Sequence, residues 1–146
     1  MKFLSILICW CFLQSSFAAT YYISPTGNDD SGNGSISKPW RTLFKATSVV
    51  TTAGDIIHVH EGMYTETQQI VLAVGVSIEG EGITSVIKST LTSDWTALLL
   101  LQSPEGTPGN QHISFLKFDG QNGSTYWAIY VAGRSNVSIN NCTITD

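Results

Sequence analysis

Short apolar runs recur along this chain, and their recurrence limits the possible folds more than any other feature. Two late runs begin at Ile113 and Val137, 24 residues apart, and earlier runs begin at Ile57 and Val76. A spacing of about 20–25 residues is typical of a solenoid, in which each coil buries its inward residues against the neighbouring coils. The pattern therefore predicts an all-β solenoid.

The longest interval between runs contains the polar segment 103–110, Ser-Pro-Glu-Gly-Thr-Pro-Gly-Asn. Proline and glycine are typical of turns and loops, so we expect this segment to be a surface loop inserted into one coil. The two Asn-Gly pairs, at Asn33 and Asn122, are not flanked by alternating strands. A hairpin meander therefore has little support.

The stretch 53–64 shows one coil most clearly. The apolar residues Ile57 and Val59 alternate with His58 and His60 between two glycine-containing turns. This alternation is typical of a half-buried strand. We expect the aliphatic side chains to point inward and both histidines to face solvent.

One short amphipathic helix is predicted, with Thr42 as its N-cap and Val50 near its end. Leu43, Ala46 and Val50 fall on one face at i, i+3 and i+7, with Val49 beside them. Two or three turns of helix are not stable alone in water. The apolar face must therefore cover another part of the protein.

Residues 1–18 are predicted to be a secretory signal peptide. Lys2 precedes an apolar run of 11 residues, 3–13, and Ser16 and Ala18 provide the small residues that a signal peptidase reads. A membrane anchor is the weaker alternative, because a span needs about 20 apolar residues. We therefore expect an extracellular protein.

Charged residues make up only 12% of the chain, against about 25% in an average soluble domain. Removal of Lys2 with the signal peptide changes the formal net charge from −4 to −5. Nucleic acids and anionic membranes favour basic surfaces, so neither is an expected partner. Cys142 is the one cysteine after residue 18, which excludes an internal disulfide, and we expect it to be buried as a small hydrophobe.

Four pieces of the N-terminal half carry a family resemblance, and they are 22–29, 38–43, 53–59 and 61–64. They look like the N-terminal cap and first coil of secreted right-handed parallel β-helix proteins, the pectate-lyase-like superfamily. The later segment 136–144 resembles a typical rung of that fold. In this family asparagines stack at the turns, which implies such a role for Asn140 or Asn141.

The fold predicted from the pattern and the resemblance is an all-β, right-handed parallel β-helix with one short N-terminal capping α-helix. Residues 19–53 are expected to form the first strand, a loop and the capping helix. Residues 54–146 are expected to form the first coils, apparently truncated at the C-terminus. An uncapped coil exposes strand edges, so we expect further coils or another chain to cover the open end.

The resemblance implies a carbohydrate-active protein that acts on acidic polysaccharides as a lyase or a hydrolase. Lyases of this fold use Lys or Arg as a base, often with calcium, whereas the hydrolases use paired carboxylates. Lys117, Asp119 and Arg134 are the nearest candidates, but they match no family motif, and we assign no catalytic residues. The alternative is a non-catalytic extracellular surface or carbohydrate-binding structural protein.

Two segments have features of metal sites, but no metal site is predicted. His58-x-His60 places two imidazoles on one face of a strand with Glu61 nearby, yet no third ligand follows at a supporting spacing. The loop 29–34 resembles the opening of a calcium loop, but Trp40 stands where a bidentate Glu would close it. Solvent-facing histidines and ordinary turn residues explain both segments.

Aromatic residues in the later part of the chain offer flat faces for sugar rings, although aromatics at coil ends more often pack under loops. These residues are Trp95, Tyr126, Trp127 and Tyr130. N-glycosylation sequons occur at Asn33, Asn122, Asn136 and Asn141. Asn33 and Asn122 lie in glycine-rich turns and are the better glycan acceptors. For Asn141 the alternative to glycosylation is a side chain that is turned inward.

Overall fold

The computed structural model describes residues 17–92, 95–120 and 127–145. These residues form an all-β structure with parallel sheets and a single short helix. In chain order the elements are β1 Thr20–Ile23, α1 Leu43–Val49, β2 Ile56–Val59, β3 Gly62–Glu66, β4 Ile70–Val71, β5 Ser77–Gly80, β6 Ser85–Ser89, β7 Ala97–Ser114, β8 Lys117–Asp119, β9 Trp127–Asn140 and β10 Thr143–Thr145.

Two sheets contain all ten strands. The six-stranded sheet has the order β1-β2-β5-β7-β4, with β9 also paired to β7, and the four-stranded sheet has the order β10-β8-β6-β3. Every pairing between these strands is parallel. Parallel neighbours require a crossover connection between them, so the chain leaves each sheet before it returns to it.

The core lies between the sheets and is built from residues at equivalent register positions. Ile57 pairs with Ile78, and Ile78 pairs with Ile113. All three side chains are fully buried. Burying the side chain of one isoleucine stabilises a fold by roughly 1.5–3 kcal/mol, so such rows are a main source of stability.

The spacing predicted from the sequence differs from the strand register at the last run. Ile113 pairs with Ile139, 26 residues later, and not with Val137. A shift of two residues leaves every side chain on the same face of a strand, because side chains alternate with a period of two. Apolar alternation alone therefore did not distinguish the two registers.

The surface loop expected at 103–110 is not separate from the sheet, because β7 continues through this segment. The pairing of β7 with β9 is irregular between Gln102 and Thr107 and again between Pro108 and Gln111. Most of the segment is exposed. Proline and glycine interrupt the ladder locally without ending it.

The predicted helix is confirmed and runs from Leu43 to Val49. The Thr42 side chain accepts a hydrogen bond from the Lys45 N–H, as expected of an N-cap. Leu43 and Ala46 are fully buried, whereas Val49, expected beside them, is 49% exposed. The apolar face of the helix covers the edge of the core, as its pattern indicated.

The asparagine contact between neighbouring strands occurs at a different place from the one expected. Asn136 Nδ2 donates a 2.6 Å hydrogen bond to Asn110 Oδ1, and both residues have positive φ, 52° and 47°. Asn140 and Asn141 are exposed instead. Asparagine tolerates the left-handed region better than most residues, which suits it to these turns.

The last two strands are less buried than the strands they pair with. Ile139 is 44% exposed and Ile144 is 61% exposed, whereas their partners Ile113 and Phe118 are fully buried. Cys142 is a free, half-buried thiol that packs against the core. That further coils or another chain cover this end stays a prediction.

Candidate functional site

Two histidines and one carboxylate meet at the end of two neighbouring strands. His58 Nε2 lies 3.1 Å from Glu81 Oε1, and His60 Nδ1 lies 2.9 Å from the same oxygen. We call this group the His–Glu cluster. Its side chains are 26%, 31% and 36% exposed, so the cluster is accessible to water.

Strand register places Glu81 in the cluster. β2 and β5 are parallel neighbours, and Ile57 pairs with Ile78. The same offset of 21 residues sets Glu81 beside His60, just beyond the ends of the two strands. The apolar starts at Ile57 and Val76 suggest an offset of 19, which is why the sequence did not identify this third group.

The backbone around the cluster holds Glu81 in place. Its Oε2 accepts a 2.7 Å hydrogen bond from the Glu61 N–H, and its own N–H donates to Ser85 Oγ at 2.9 Å. The Tyr64 hydroxyl donates to the His60 carbonyl at 2.8 Å. Glu61, which the sequence places near the two histidines, contributes its amide to the cluster.

An aromatic ring packs against both imidazoles. The Tyr22 ring centroid lies 5.5 Å from that of His58 and 5.6 Å from that of His60. The two imidazole rings are themselves 5.1 Å apart and nearly perpendicular. These contacts restrict the rotamers of both histidines, because ring packing favours a small set of orientations.

The imidazoles stabilise the ionised form of Glu81. Hydrogen bonds from His58, then His60, then the Glu61 amide lower the pKa of the Glu81 carboxyl to about 2. A carboxylate that accepts several hydrogen bonds is favoured in its ionised form. Glu81 is therefore an anion throughout the neutral range.

A second candidate site is a cleft of about 350 Å³ beside β7 and β9. The Trp127 ring lies 5.9 Å from that of Trp95 and 5.4 Å from that of Tyr130, with interplanar angles of 53° and 46°. We call this the aromatic cleft. Its lining residues are Gln69, Trp95, Ala97, Leu100, Gln102, Trp127 and Tyr130.

Three of the four aromatic residues identified in the sequence thus come together in the aromatic cleft. Tyr126 lies outside the described residues. Gln69 and Gln102 were not anticipated, because isolated glutamines have no signature of their own in a sequence. Parallel pairing of β4, β7 and β9 brings these parts of the chain together.

The three charged candidates for catalysis do not form one site. Lys117 and Asp119 lie on β8 in the four-stranded sheet, whereas Arg134 lies on β9 in the six-stranded sheet. The Arg134 guanidinium donates to the Leu72 and Gln102 carbonyl oxygens at 2.8 and 3.1 Å. Burial lowers the pKa of Arg134 from its ordinary value, and its donors hold strands together.

The oxygen atoms of the calcium-like loop are used within the protein. The Asp29 carboxylate accepts hydrogen bonds from the Arg41 N–H at 2.7 Å and from the Thr42 hydroxyl at 2.8 Å. The Asn33 side-chain oxygen accepts from the Ser35 hydroxyl at 2.7 Å. These bonds belong to turns and to the start of α1, as the simpler interpretation expected.

Three of the four sequons lie in the described part of the chain. Asn33, Asn136 and Asn141 are all exposed. The Asn136 side-chain nitrogen is engaged with Asn110. Asn122 lies outside the described residues, and glycosylation at all four stays a prediction.

The strands and their pairing define the chain as an all-β protein with parallel sheets. Its residues 25–146 match a family described as a protein of unknown function, DUF1565. Because the match covers most of the chain, the chain belongs to this family. Searches of curated proteins and of solved structures find no match.

Among the described residues, no helix has the length and apolar character needed to cross a membrane.

Proposed function

We propose that this chain is an extracellular carbohydrate-binding protein built as a right-handed parallel β-helix. The observation that carries the proposal is the aromatic cleft, where three aromatic rings and two glutamines surround one concave space. Sugar rings have apolar C–H faces and polar edges. A site for them therefore needs aromatic faces together with a few polar groups.

The order of the strands supports the β-helix. From β5 onwards successive strands alternate between the two sheets, and β7 and β9 each contribute to two stretches of the six-stranded sheet. Each layer pairs only with the layers before and after it, which is the arrangement of a solenoid. The family is also known as parallel β-helix-like.

The shape of the aromatic cleft favours a short part of a sugar chain. The Trp127 ring is inclined by about 50° to both neighbouring rings, which makes a concave wall and not a flat strip. The cleft volume of about 350 Å³ lies at the lower end of the range of about 300–1,000 Å³ for ligand pockets. One or two sugar rings match this size.

The lining favours a neutral sugar and binding without cleavage. Among the described residues, those that line the cleft include no charged side chain. Uronide lyases need a base and a means to neutralise the substrate carboxylate, and glycoside hydrolases need paired carboxylates. The cleft therefore supports the non-catalytic alternative better than the lyase or hydrolase.

Contacts at Ala19 support secretion with cleavage after residue 18. The Ala19 N–H donates a 2.9 Å hydrogen bond to Asp55 Oδ1, and the Ala19 carbonyl accepts from the Ile56 N–H. A new ammonium group at Ala19 would face a carboxylate in the same place. N-terminal sequencing of protein from a secreting host tests this proposal, and a first residue other than Ala19 argues against it.

A panel of neutral and acidic oligosaccharides tests the proposed binding. We expect neutral members of the panel to bind, and Trp127→Ala to weaken that binding about tenfold or more through lost ring contact. Phe115→Ala is the matched control, because Phe115 is also an exposed aromatic residue, at a turn that follows β7. This control should bind like the wild type.

The same preparation tests the lyase alternative. Incubation with pectin, alginate and glycosaminoglycans in the presence of calcium is followed by absorbance of unsaturated uronides. We expect no change in absorbance. Product formation would favour the lyase. In the binding panel, binding that survives both Trp127→Ala and Trp95→Ala would exclude the aromatic cleft as the sugar-binding site.

A further inference from the structure

We propose that His58, His60 and Glu81 form a binding site for a divalent transition-metal ion, with zinc as the ion best suited to them. The ligand atoms of the three residues lie within 4.8 Å of one another. This site is separate from the aromatic cleft, since the two share no lining residue. The inference does not depend on the proposed carbohydrate function.

The distances are close to those around a bound ion. Zinc lies about 2.0–2.2 Å from imidazole nitrogen and carboxylate oxygen, which puts tetrahedral ligands about 3.4 Å apart. Glu81 Oε1 is now 3.1 Å from His58 Nε2 and 2.9 Å from His60 Nδ1. Binding of an ion requires Glu81 Oε1 to move a few tenths of an ångström away from both nitrogens. It also requires the two imidazole nitrogens, which lie within 4.8 Å of each other, to reach a separation of about 3.4 Å.

The chemistry of the ligands selects the type of ion. Two imidazoles and one carboxylate suit zinc, copper and nickel, whereas calcium prefers six to eight oxygen ligands. Three protein ligands leave one tetrahedral position for water, and the partial exposure of all three side chains gives solvent access to it. Zinc can bind to neutral imidazoles once the ring protons now shared with Glu81 occupy the other ring nitrogens.

Neighbouring groups restrict each ligand before any ion binds. The Glu61 amide and Ser85 Oγ hold Glu81. The Tyr22 ring packs on both imidazoles. Such supporting contacts reduce the ordering that ion binding requires, and their loss typically weakens metal affinity by about 10–100-fold.

The chain also contains a second histidine–carboxylate pair that can be compared with the His–Glu cluster. His112 Nε2 lies 2.7 Å from Glu79 Oε1, so this pair has one imidazole and one carboxylate. Glu79 pairs in register with His58, which places the comparison on the same sheet. It offers two ligands where the His–Glu cluster offers three, and therefore provides a matched control.

Calorimetric titration of the purified, untagged chain with zinc chloride tests the site. We expect one zinc ion per chain with a dissociation constant of about 10 μM or lower. His58→Gln, His60→Gln and Glu81→Gln should each raise this constant about tenfold or more. His112→Gln should leave it unchanged, and circular dichroism checks that each variant is folded.

Three results would overturn the assignment. The first is a dissociation constant above about 100 μM for the wild type. The second is equal zinc affinity in wild type and Glu81→Gln, which would reduce the site to a pair of histidines. The third is a loss of affinity in His112→Gln as large as that in His58→Gln.

A titration with calcium chloride serves as a further check, and calcium binding that His60→Gln removes would contradict the choice of ion.

Discussion

Glu66 is a buried carboxylate that supports the start of the only helix among the described residues. Its Oε1 accepts a 2.7 Å hydrogen bond from the Leu43 N–H, and its Oε2 accepts a 3.3 Å bond from the Phe44 N–H. Burial raises the pKa of Glu66, the two amide hydrogen bonds lower it in part, and Asp29 raises it further. The first two amides of the helix thus donate to a carboxylate at the end of β3.

We expect Glu66→Ala to lower the free energy of unfolding by about 1–3 kcal/mol, because one buried and one partly buried amide lose their acceptor. Glu66→Gln keeps one acceptor and should cost less. Urea denaturation at pH 7 measures both changes. Glu105→Gln, at an exposed acid in β7, is the control and should have little effect.

The raised pKa of Glu66 predicts a pH dependence of stability. The folded protein favours protonated Glu66 more than the unfolded chain does, so this contribution is complete below about pH 4 and is lost as the pH rises through the native pKa. Wild type should therefore lose stability relative to Glu66→Gln over the pH range that begins at about 4 and extends upward through the native pKa. A constant difference over that range would contradict this prediction.

Residue patterns in the sequence predicted which side chains of β2 point inward, but not what the outward ones contact. Ile57 and Val59 are buried, as their alternation with two histidines indicates. Glu81 joins the histidines only through the register of β2 and β5. Side-chain period specifies a face, whereas register depends on turns and packing.

At the scale of elements, Arg134 links several strands and connecting segments. Its guanidinium donates to the carbonyls of Leu72 and Gln102 and, at 3.1 Å, to Gln111 Oε1. These acceptors come from the segment after β4 and from two parts of β7. A planar guanidinium reaches several fixed acceptors at once, which an ammonium group does not.

Arg134→Lys should therefore destabilise the protein by about 1–3 kcal/mol, since some of these partly buried acceptors lose their donor. The urea midpoint measures the change. Arg41→Lys is the control, because Arg41 is exposed on the surface. Equal midpoints for the two variants would show that Arg134 does not link the strands in solution.

The segment 103–110 shows why element boundaries were hard to predict. Its prolines and glycines indicated a loop, yet β7 passes through it with two irregularities. Gly133 on the facing strand has φ 72°, and a Cβ there would clash with the Ser103 carbonyl. The two backbones therefore approach closely at the first irregularity, and this approach requires a glycine at position 133.

At the scale of the whole molecule, the predicted all-β class, parallel strand pairing and one short helix are confirmed for the described residues. The recurrence of apolar runs predicted a series of strands that pack on one another, because each run buries residues against the next. The aromatic cleft was predicted only in part. Trp127 and Tyr130 were identified as candidates, whereas Gln69 and Gln102 reach the cleft through strand pairing.

A layered β-helix should exchange its backbone amide protons unevenly. β5 lies between β2 and β7, whereas β10 lies at the edge of the four-stranded sheet. We expect amides in β5 to exchange most slowly and those in β10 to exchange much faster, because edge layers open at lower free energy. Hydrogen–deuterium exchange measures this gradient, and uniform protection would argue against a layered stack.

The central claim is that the aromatic cleft binds a sugar through its rings. Saturation-transfer difference NMR, with irradiation of protein aromatic protons, measures this contact directly on a neutral oligosaccharide selected from the panel. We expect strong transfer to C–H protons of one or two sugar rings in the wild type and much weaker transfer in Trp127→Ala. Absent transfer in the wild type, or equal transfer in both proteins, would contradict it.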